Sequence, residues 1–301
     1  MIPGNFNYHR PDSKAQALQL LGQFGEDGRV LAGGHSLIPM MKLRLAAPTH
    51  LVDITRLTEL RGIAVGGSQI EIGACVTQQE LIASAELATA CPIIRETATQ
   101  IADPQVRYCG TIGGNVGGGD PGNDMPGLMQ CLGASYVLES TNGQREVAAR
   151  DFYQGPFFTA LGQGEMITRI RIATPPAGHG YAYQKLKRKI GDYAMAAAAV
   201  ILEMSGGKVR KASIALTNLG PTPLYAEAAV LAVSGTALSS ADIAVAAAAA
   251  EAITSPADDG RGTVDYRRKM ARVMVRRALI EAKSRASDIK PGGGVFGWLR
   301  S

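Results

Sequence analysis

No two of the four cysteines, Cys75, Cys91, Cys109 and Cys131, stand close enough to make a C-x-x-C pair. That spacing excludes a zinc or iron–sulfur ligand set read from local sequence, so no metal-binding residue is nominated. All four read as free core thiols in a reducing compartment. Aromatic residues are only 5% of the chain and do not interleave with its basic clusters, Lys185-Leu186-Lys187-Arg188-Lys189 and Arg267-Arg268-Lys269. Nucleic-acid binding is therefore excluded. The clusters suit a docking face for an acidic protein partner, or simply a solvated surface. Apolar runs are short: the longest, residues 195–202, cannot span a bilayer. No signal-peptide pattern opens the chain, and the expectation is a soluble, cytoplasmic protein. No Ser-His-Asp set or paired-carboxylate site stands out, so hydrolysis has no support and no catalytic residue is named.

What the chain has in quantity is glycine, gathered at two places. The run from Thr111 to Asp124 holds Gly113, Gly114, Gly117, Gly118, Gly119 and Gly122, with Thr111, Asn115 and Asp124 as polar anchors. Such a run suits close backbone approach, and inward-pointing N–H groups form a nest for an anion, most often phosphate. A mobile linker is the alternative, but its flanks here are apolar. The second place is Ala32-Gly33-Gly34-His35-Ser36-Leu37, where the glycine pair permits a tight turn and Ser36 is placed to cap a short helix. Two such loops point to a ligand carrying a diphosphate, gripped from two sides. Gly117, Gly119 and Gly122 also satisfy G-x-G-x-x-G, and Glu139 lies near the spacing of a ribose-binding acid. That fingerprint needs a buried strand immediately before the first glycine, whereas Thr-Ile-Gly-Gly-Asn-Val precedes it and Pro121 interrupts it. The dinucleotide fingerprint is rejected.

A chain of 301 residues is long enough for two or three domains, and its 46% hydrophobic and 19% charged residues are a globular balance. Taken in order, the pattern predicts an edge strand at 6–8, a helix capped by Ser13, strands at 30–31 and 51–52, and a short helix between them. A hairpin follows at 63–65 and 70–72, then helices after Thr77, over 92–101 and over 125–132. Strands are expected at 136–138 and 165–172, with a turn at Asn142-Gly143. Beyond the linker Thr174-Pro175-Pro176-Ala177-Gly178, strands are expected at 181–186, 194–203 and 209–218. Helices at 224–233, 240–253 and 264–285 then close the chain, the last with a solvated basic stripe of Arg268, Arg272 and Arg276. The class is α+β. A small α/β unit (1–55) and an α+β unit (56–176) precede a domain of a three-stranded antiparallel sheet with helices (177–287). A disordered tail (288–301) ends the chain.

The motifs Ala32-Gly33-Gly34-His35-Ser36 and Thr111-Ile112-Gly113-Gly114-Asn115, with Asp124, resemble the flavin-binding subunits of molybdenum hydroxylases, the xanthine dehydrogenase family. Met1-Ile2-Pro3-Gly4, Ile101-Ala102-Asp103-Pro104-Gln105, residues 119–126 and the stretch YQKLKRKIGDY over 183–193 narrow the resemblance. They are similar to the medium subunits of aerobic carbon monoxide dehydrogenases, over about residues 1–285. The resemblance implies a flavoprotein oxidoreductase subunit that holds FAD between the two N-terminal units and the C-terminal domain. It implies a small partner with two iron–sulfur clusters and a large partner with the molybdenum cofactor and the substrate site, in a dimer of heterotrimers. Electrons would run from molybdenum through the clusters to the flavin and on to a quinone, the complex lying at the inner face of the cytoplasmic membrane. For the diphosphate it implies Gly33, Gly34, His35 and Ser36, flanked by Ala32 and Leu37, with Thr111, Gly114 and Asn115. Asp124 would accept from ribose or ribityl hydroxyls or cap the following helix. Lys185 and Tyr193, on a strand beside the isoalloxazine, would stabilise the reduced anion and cover one flavin face; His35 contributes backbone and packing. Two alternatives stay open: a partner that hydroxylates an aromatic heterocycle or an acyl-CoA, and a non-redox nucleotide-binding module.

Overall fold

The computed structural model describes residues 2–287, so the expectation for the tail at 288–301 lies outside the described residues. The chain opens with three parallel strands, Asn7–His9, His50–Asp53 and Gly28–Leu31, with His50–Asp53 in the middle. Ser13 starts the helix Lys14–Phe24 by accepting from the N–H of Gln16 (3.2 Å), and Gly25 ends it at φ +55°. Ala17, Leu18 and Leu21 pack that helix against Val52, Ile54, Leu57 and Leu60. The parallel order leaves residues 32–36 at the carboxyl end of the strand Gly28–Leu31, the side on which open α/β sheets take ligands.

The middle of the chain builds a five-stranded antiparallel sheet in the order Ile63–Val65, Gln69–Gly73, Met166–Ala173, Ser135–Ser140, Gly143–Ala148. Its central strand is the last one made. The 61 residues between Gly73 and Ser135 are therefore free to form helices, and most of these helices have a local start signal. Thr77 and Glu80 make a reciprocal capping box for Gln78–Ala83, and Ser84 caps Ala85–Ala90. Pro92 and Pro104 occupy the first turns of Pro92–Gln100 and Pro104–Cys109, the latter capped by Asp103. The short helices Ala85–Ala90 and Pro104–Cys109 were absent from the periodicity reading, because six residues span under two turns and show little pattern.

The C-terminal sheet has four strands rather than three: Gly180–Leu186, Ala196–Ser205, Lys208–Thr217 and Leu224–Tyr225. The added strand takes the first residues of what reads as a helix over 224–233, and that helix begins at Glu227 instead. Ala196–Ser205 is buried on both faces. Ala197, Ala199 and Ile201 join the core of the middle unit, while Ala196, Ala198, Val200 and Leu202 face the helices Glu227–Val233, Ser240–Ala252 and Val264–Arg285. Alanine is the side chain that lets a sheet sit tightly between two layers. The same period-two alternation governs Gly180–Leu186. Ala182 faces the C-terminal helices, and Tyr183 and Lys185 face the helix Asp124–Leu132.

Two parts of the basic clusters are not surface. Arg267 is 2% exposed and donates to the carbonyls of Met195 (3.0 Å), Ala257 (2.6 Å) and Asn218. Lys185 is likewise buried, so neither residue belongs to a docking face. Arg272 and Arg276 are exposed as expected. Cys75, Cys91 and Cys131 are core thiols that burial pushes up to about 12, but Cys109 is exposed, a correction to the reading of four core thiols.

Candidate functional site

Gly33 is the point where the two glycine segments meet. A side chain there would collide with the carbonyl of Cys109 and with Gly110, so only glycine lets the first loop abut the second. Gly34 follows in the left-handed region at φ +72°. Beyond it, the backbone N–H groups of Gly33, Gly34, His35, Ser36 and Leu37 have no acceptor among the described residues; the next bond is Ile38 N–H to Gly34 O at 3.0 Å. Ser36 makes no cap, a departure from the sequence expectation, because it is already αR (φ −106°, ψ −50°) and its hydroxyl cannot reach back. The result is five successive donors awaiting an acceptor.

The second segment is built differently. Residues expected to be a loop form the helix Ile112–Gly117, started by Thr111, whose hydroxyl oxygen accepts from the N–H of Gly114 (3.0 Å). The N–H groups of Ile112, Gly113 and Asn115 go to Val76 O (2.8 Å), Ala74 O (2.9 Å) and Thr111 O (3.0 Å). The backbone donors expected at Gly114 and Asn115 are thus already used. What remains for a ligand is the Thr111 hydroxyl proton, the Asn115 side-chain NH2 and the space left by Gly114, where an added Cβ would meet only Thr111 Oγ1 at 3.0 Å. The oxygens of Asn115 are committed: its Oδ1 accepts from the N–H of Met125 (3.2 Å), and its carbonyl accepts from Asn123 Nδ2 (2.8 Å). The rejection of the dinucleotide fingerprint stands, since a helix and no strand leads into Gly117 and Glu139 is held by Lys14 and Thr168, each at 2.7 Å.

Asp124 is 4% exposed and is not the helix cap, since it is the first helical residue and Asn123 holds the cap position. Its Oδ1 accepts from Tyr183 Oη (2.6 Å) and its Oδ2 from Lys185 Nζ (2.8 Å), both from the strand Gly180–Leu186. Burial pushes the Asp124 carboxyl above its ordinary value, while the Lys185 charge and the bonds from Lys185 and Tyr183 pull it back. Burial, then the Asp124 charge, pushes the Tyr183 phenol well up. Tyr183 was missed as a site residue; the signal was its spacing of two from Lys185 on one strand face. Tyr193 lies in the loop after that strand, not on it. It is 40% exposed, its ring lies against Gly122, and desolvation followed by the Asp120 charge pushes its hydroxyl up to about 12.

One cavity of about 1080 Å³ collects these pieces. Ala32, Gly33, Gly34, His35, Ser36 and Leu37 line it, as do Thr111, Gly114, Asn115, Asp124, Lys185 and Tyr193. Ile101 and Ala102 also line it, and Ala102 sits at φ +42°, unusual for a residue with a side chain.

Residues 4–175 match the FAD binding domain in molybdopterin dehydrogenase, and residues 181–282 match the CO dehydrogenase flavoprotein C-terminal domain. This chain belongs to that flavoprotein family. The carbon monoxide dehydrogenase medium chain of Afipia carboxidovorans is 62% identical over 96% of this chain and 100% of the relative. Its counterpart from Hydrogenophaga pseudoflava is 48% identical over 95% and 100%. The glyceraldehyde dehydrogenase medium chain of Sulfolobus acidocaldarius is 34% identical over 93% and 99%. Among solved structures, the flavoprotein resembles a chain of the Cu,Mo-CO dehydrogenase at 62% identity and TM-score 0.94, covering 95% of this chain and all of that one. The family's FAD cofactor fits what the residues offer: a diphosphate is an acceptor-only group, and the Gly33–Leu37 segment of the wall carries five backbone N–H donors without an acceptor among the described residues.

Proposed function

We propose that this chain is the FAD-carrying medium subunit of a molybdenum-containing carbon monoxide dehydrogenase. It takes electrons from iron–sulfur clusters on a small partner chain, while a large partner chain oxidises the substrate at its molybdenum cofactor. The identity of 62% along almost the whole chain supports the substrate assignment over relatives that serve other substrates. The structural observation that supports the flavin site is the row of N–H groups at Gly33–Leu37, unpaired among the described residues, on the wall of the cavity.

In this reading those N–H groups hold the diphosphate, with the Thr111 hydroxyl donating from the other side and Gly114 leaving room. Asp124 accepts a ribityl or ribose hydroxyl with the lone pairs that Tyr183 and Lys185 leave. Lys185 anchors that carboxylate, and the Tyr193 ring covers one flavin face. FAD, when bound, supplies the exchange between one-electron donors and a two-electron acceptor; no side chain of this subunit needs to break a bond. We further propose a quinone as acceptor and a dimer of heterotrimers at the inner face of the cytoplasmic membrane. Among the described residues no helix is long and apolar enough to cross a membrane, so contact with it would run through the surface of the complex. The division at 55/56 and 176/177 is part of the same proposal, with FAD between the resulting units.

The visible absorption spectrum of the chain, alone and with its two partner chains, before and after FAD is added, tests the reading. Flavin bands should appear and survive gel filtration with the assembled complex. A complex that retains no flavin under any of these conditions overturns the assignment.

A further inference from the structure

Three successive carbonyls beside the cavity are gripped by cationic side chains. Gln100 O accepts from Lys185 Nζ (3.1 Å) and from Lys187 Nζ (3.3 Å). Ile101 O and Ala102 O both accept from Arg107 Nη1, at 2.8 and 3.3 Å. Ile101 and Ala102 form part of the cavity wall, and the left-handed Ala102 is the residue the clamp holds. The charges do not balance. Lys185 is neutralised by Asp124, whereas Lys187 and Arg107 have no carboxylate within ion-pair distance among the described residues. The nearest acid in sequence, Asp103, spends an oxygen capping the helix Pro104–Cys109 at Val106 N (3.0 Å). Arg107 Nε is buried with no hydrogen-bond partner. Burial lowers the Lys187 ammonium, the charges of Lys185 and Arg107 add to that, and the Asp124 carboxylate opposes them only in part.

Uncompensated, partly buried cations are unfavourable unless an anion comes to them. Resting on the reading that FAD occupies this cavity, we propose that Arg107 and Lys187, rather than the paired Lys185, are the residues that set the flavin's reduction potential. Two electrons and one proton taken up by the isoalloxazine leave it with one negative charge. In this proposal the isoalloxazine lies against the Ile101–Ala102 wall, and the two cations that grip the carbonyls of residues 100–102 attract its charge from behind that wall. Arg107 acts as a positioning residue as well, since its two bonds fix the Ala102 turn that shapes the wall.

The test is a spectroelectrochemical titration of FAD in the assembled complex, comparing wild type with Arg107→Met, Lys187→Met, Arg107→Lys and Lys189→Met. Lys189 is an exposed residue of the same basic stretch. Arg107→Met and Lys187→Met should each move the two-electron midpoint to more negative values by about 30 mV or more. That is a tenfold loss in preference for reduced over oxidised flavin. Arg107→Lys should recover most of the shift, and Lys189→Met should leave the potential where it was. An unmoved midpoint of the bound flavin in both Met variants overturns the proposal, including the case where they only lower FAD occupancy or weaken assembly. Equal shifts in all three Met variants also overturn it, since a diffuse surface field would then suffice. A wild-type complex with no flavin bands overturns the functional reading, and this proposal with it.

Discussion

The two glycine segments look alike in sequence and do opposite work. At Gly33–Leu37 the glycines leave backbone donors free: the chain turns, abuts Cys109 O, and presents five N–H groups without acceptors among the described residues. At Thr111–Gly117 the glycines let backbone donors be consumed. Gly113 presses its helix onto Ala74, where an added Cβ would lie 2.6 Å from the carbonyl, and its N–H bonds that same carbonyl. The first segment presents free donors to the cavity, and the second is mostly a buttress that leaves one hydroxyl, that of the buried Thr111, on the cavity wall. Glycine content therefore marks close approach, but what approaches, a ligand or a neighbouring strand, is not written in it.

The largest expected effect comes from the anchor at the end of the second segment. Asp124→Ala leaves the Lys185 ammonium buried without its partner and should destabilise the fold by about 3–5 kcal/mol, read by denaturant unfolding. Adding Lys185→Met should restore a good part of that loss. If Asp124→Ala unfolds like wild type, Asp124 belongs with the ligand surface and the contrast between the segments weakens. Gly33→Ala should then disturb the donor-bearing loop and the backbone behind it together. We expect FAD binding about 100-fold weaker, roughly 2.8 kcal/mol at 1.4 kcal/mol per tenfold, together with a lower thermal unfolding temperature of the flavin-free chain, because the added Cβ would lie 2.3 Å from the Cys109 carbonyl oxygen. Gly113→Ala should leave the Gly33–Leu37 donors in place and cost about 1–3 kcal/mol of stability by overpacking against Ala74. A Gly113→Ala protein of full stability that fails to hold FAD would erase the distinction.

The smallest effect concerns a contact on the cavity rim outside both segments. Arg145 reaches Glu165 with two bonds of 2.7 Å, and these bonds hold the Glu165 carboxyl below its ordinary value of 4.5, burial opposing them. A depressed carboxyl stabilises the fold above the unfolded value and loses that contribution as pH falls through the folded one. Arg145 is half exposed, so the contribution is at most about 1 kcal/mol. Glu165→Gln should flatten the acid limb of the stability curve below about pH 4.5, measured by chemical denaturation across pH. An unchanged limb would show the pair to be solvent-screened.

Much of the fold was legible because it rests on short-range rules. Ser13, Thr77 and Pro92 start helices where their chemistry says they should, and Gly206-Gly207 turns a hairpin whose strands alternate between two cores. Missed features depended on distant partners. Leu224–Tyr225 is a strand because Lys208–Thr217 has a free edge to pair with. Arg267 is buried because carbonyls of Met195, Asn218 and Ala257, far apart in the chain, converge on it. Asp124 reads equally well as a cap until Tyr183 and Lys185 arrive from a strand sixty residues later.

The sequence by itself determined the twin glycine motifs, the α+β class, the family resemblance and the residues that gather around one cavity. Local spacing and residue chemistry suffice for those, because a turn, a cap or a motif is decided within a few residues. Only the tertiary structure decided which amide groups remain free, which lysine is neutralised and which cations are left facing the cavity wall. Those are questions of what each polar group finds after the chain has folded back on itself, and free energy at a buried charge depends on its partners more than on its identity.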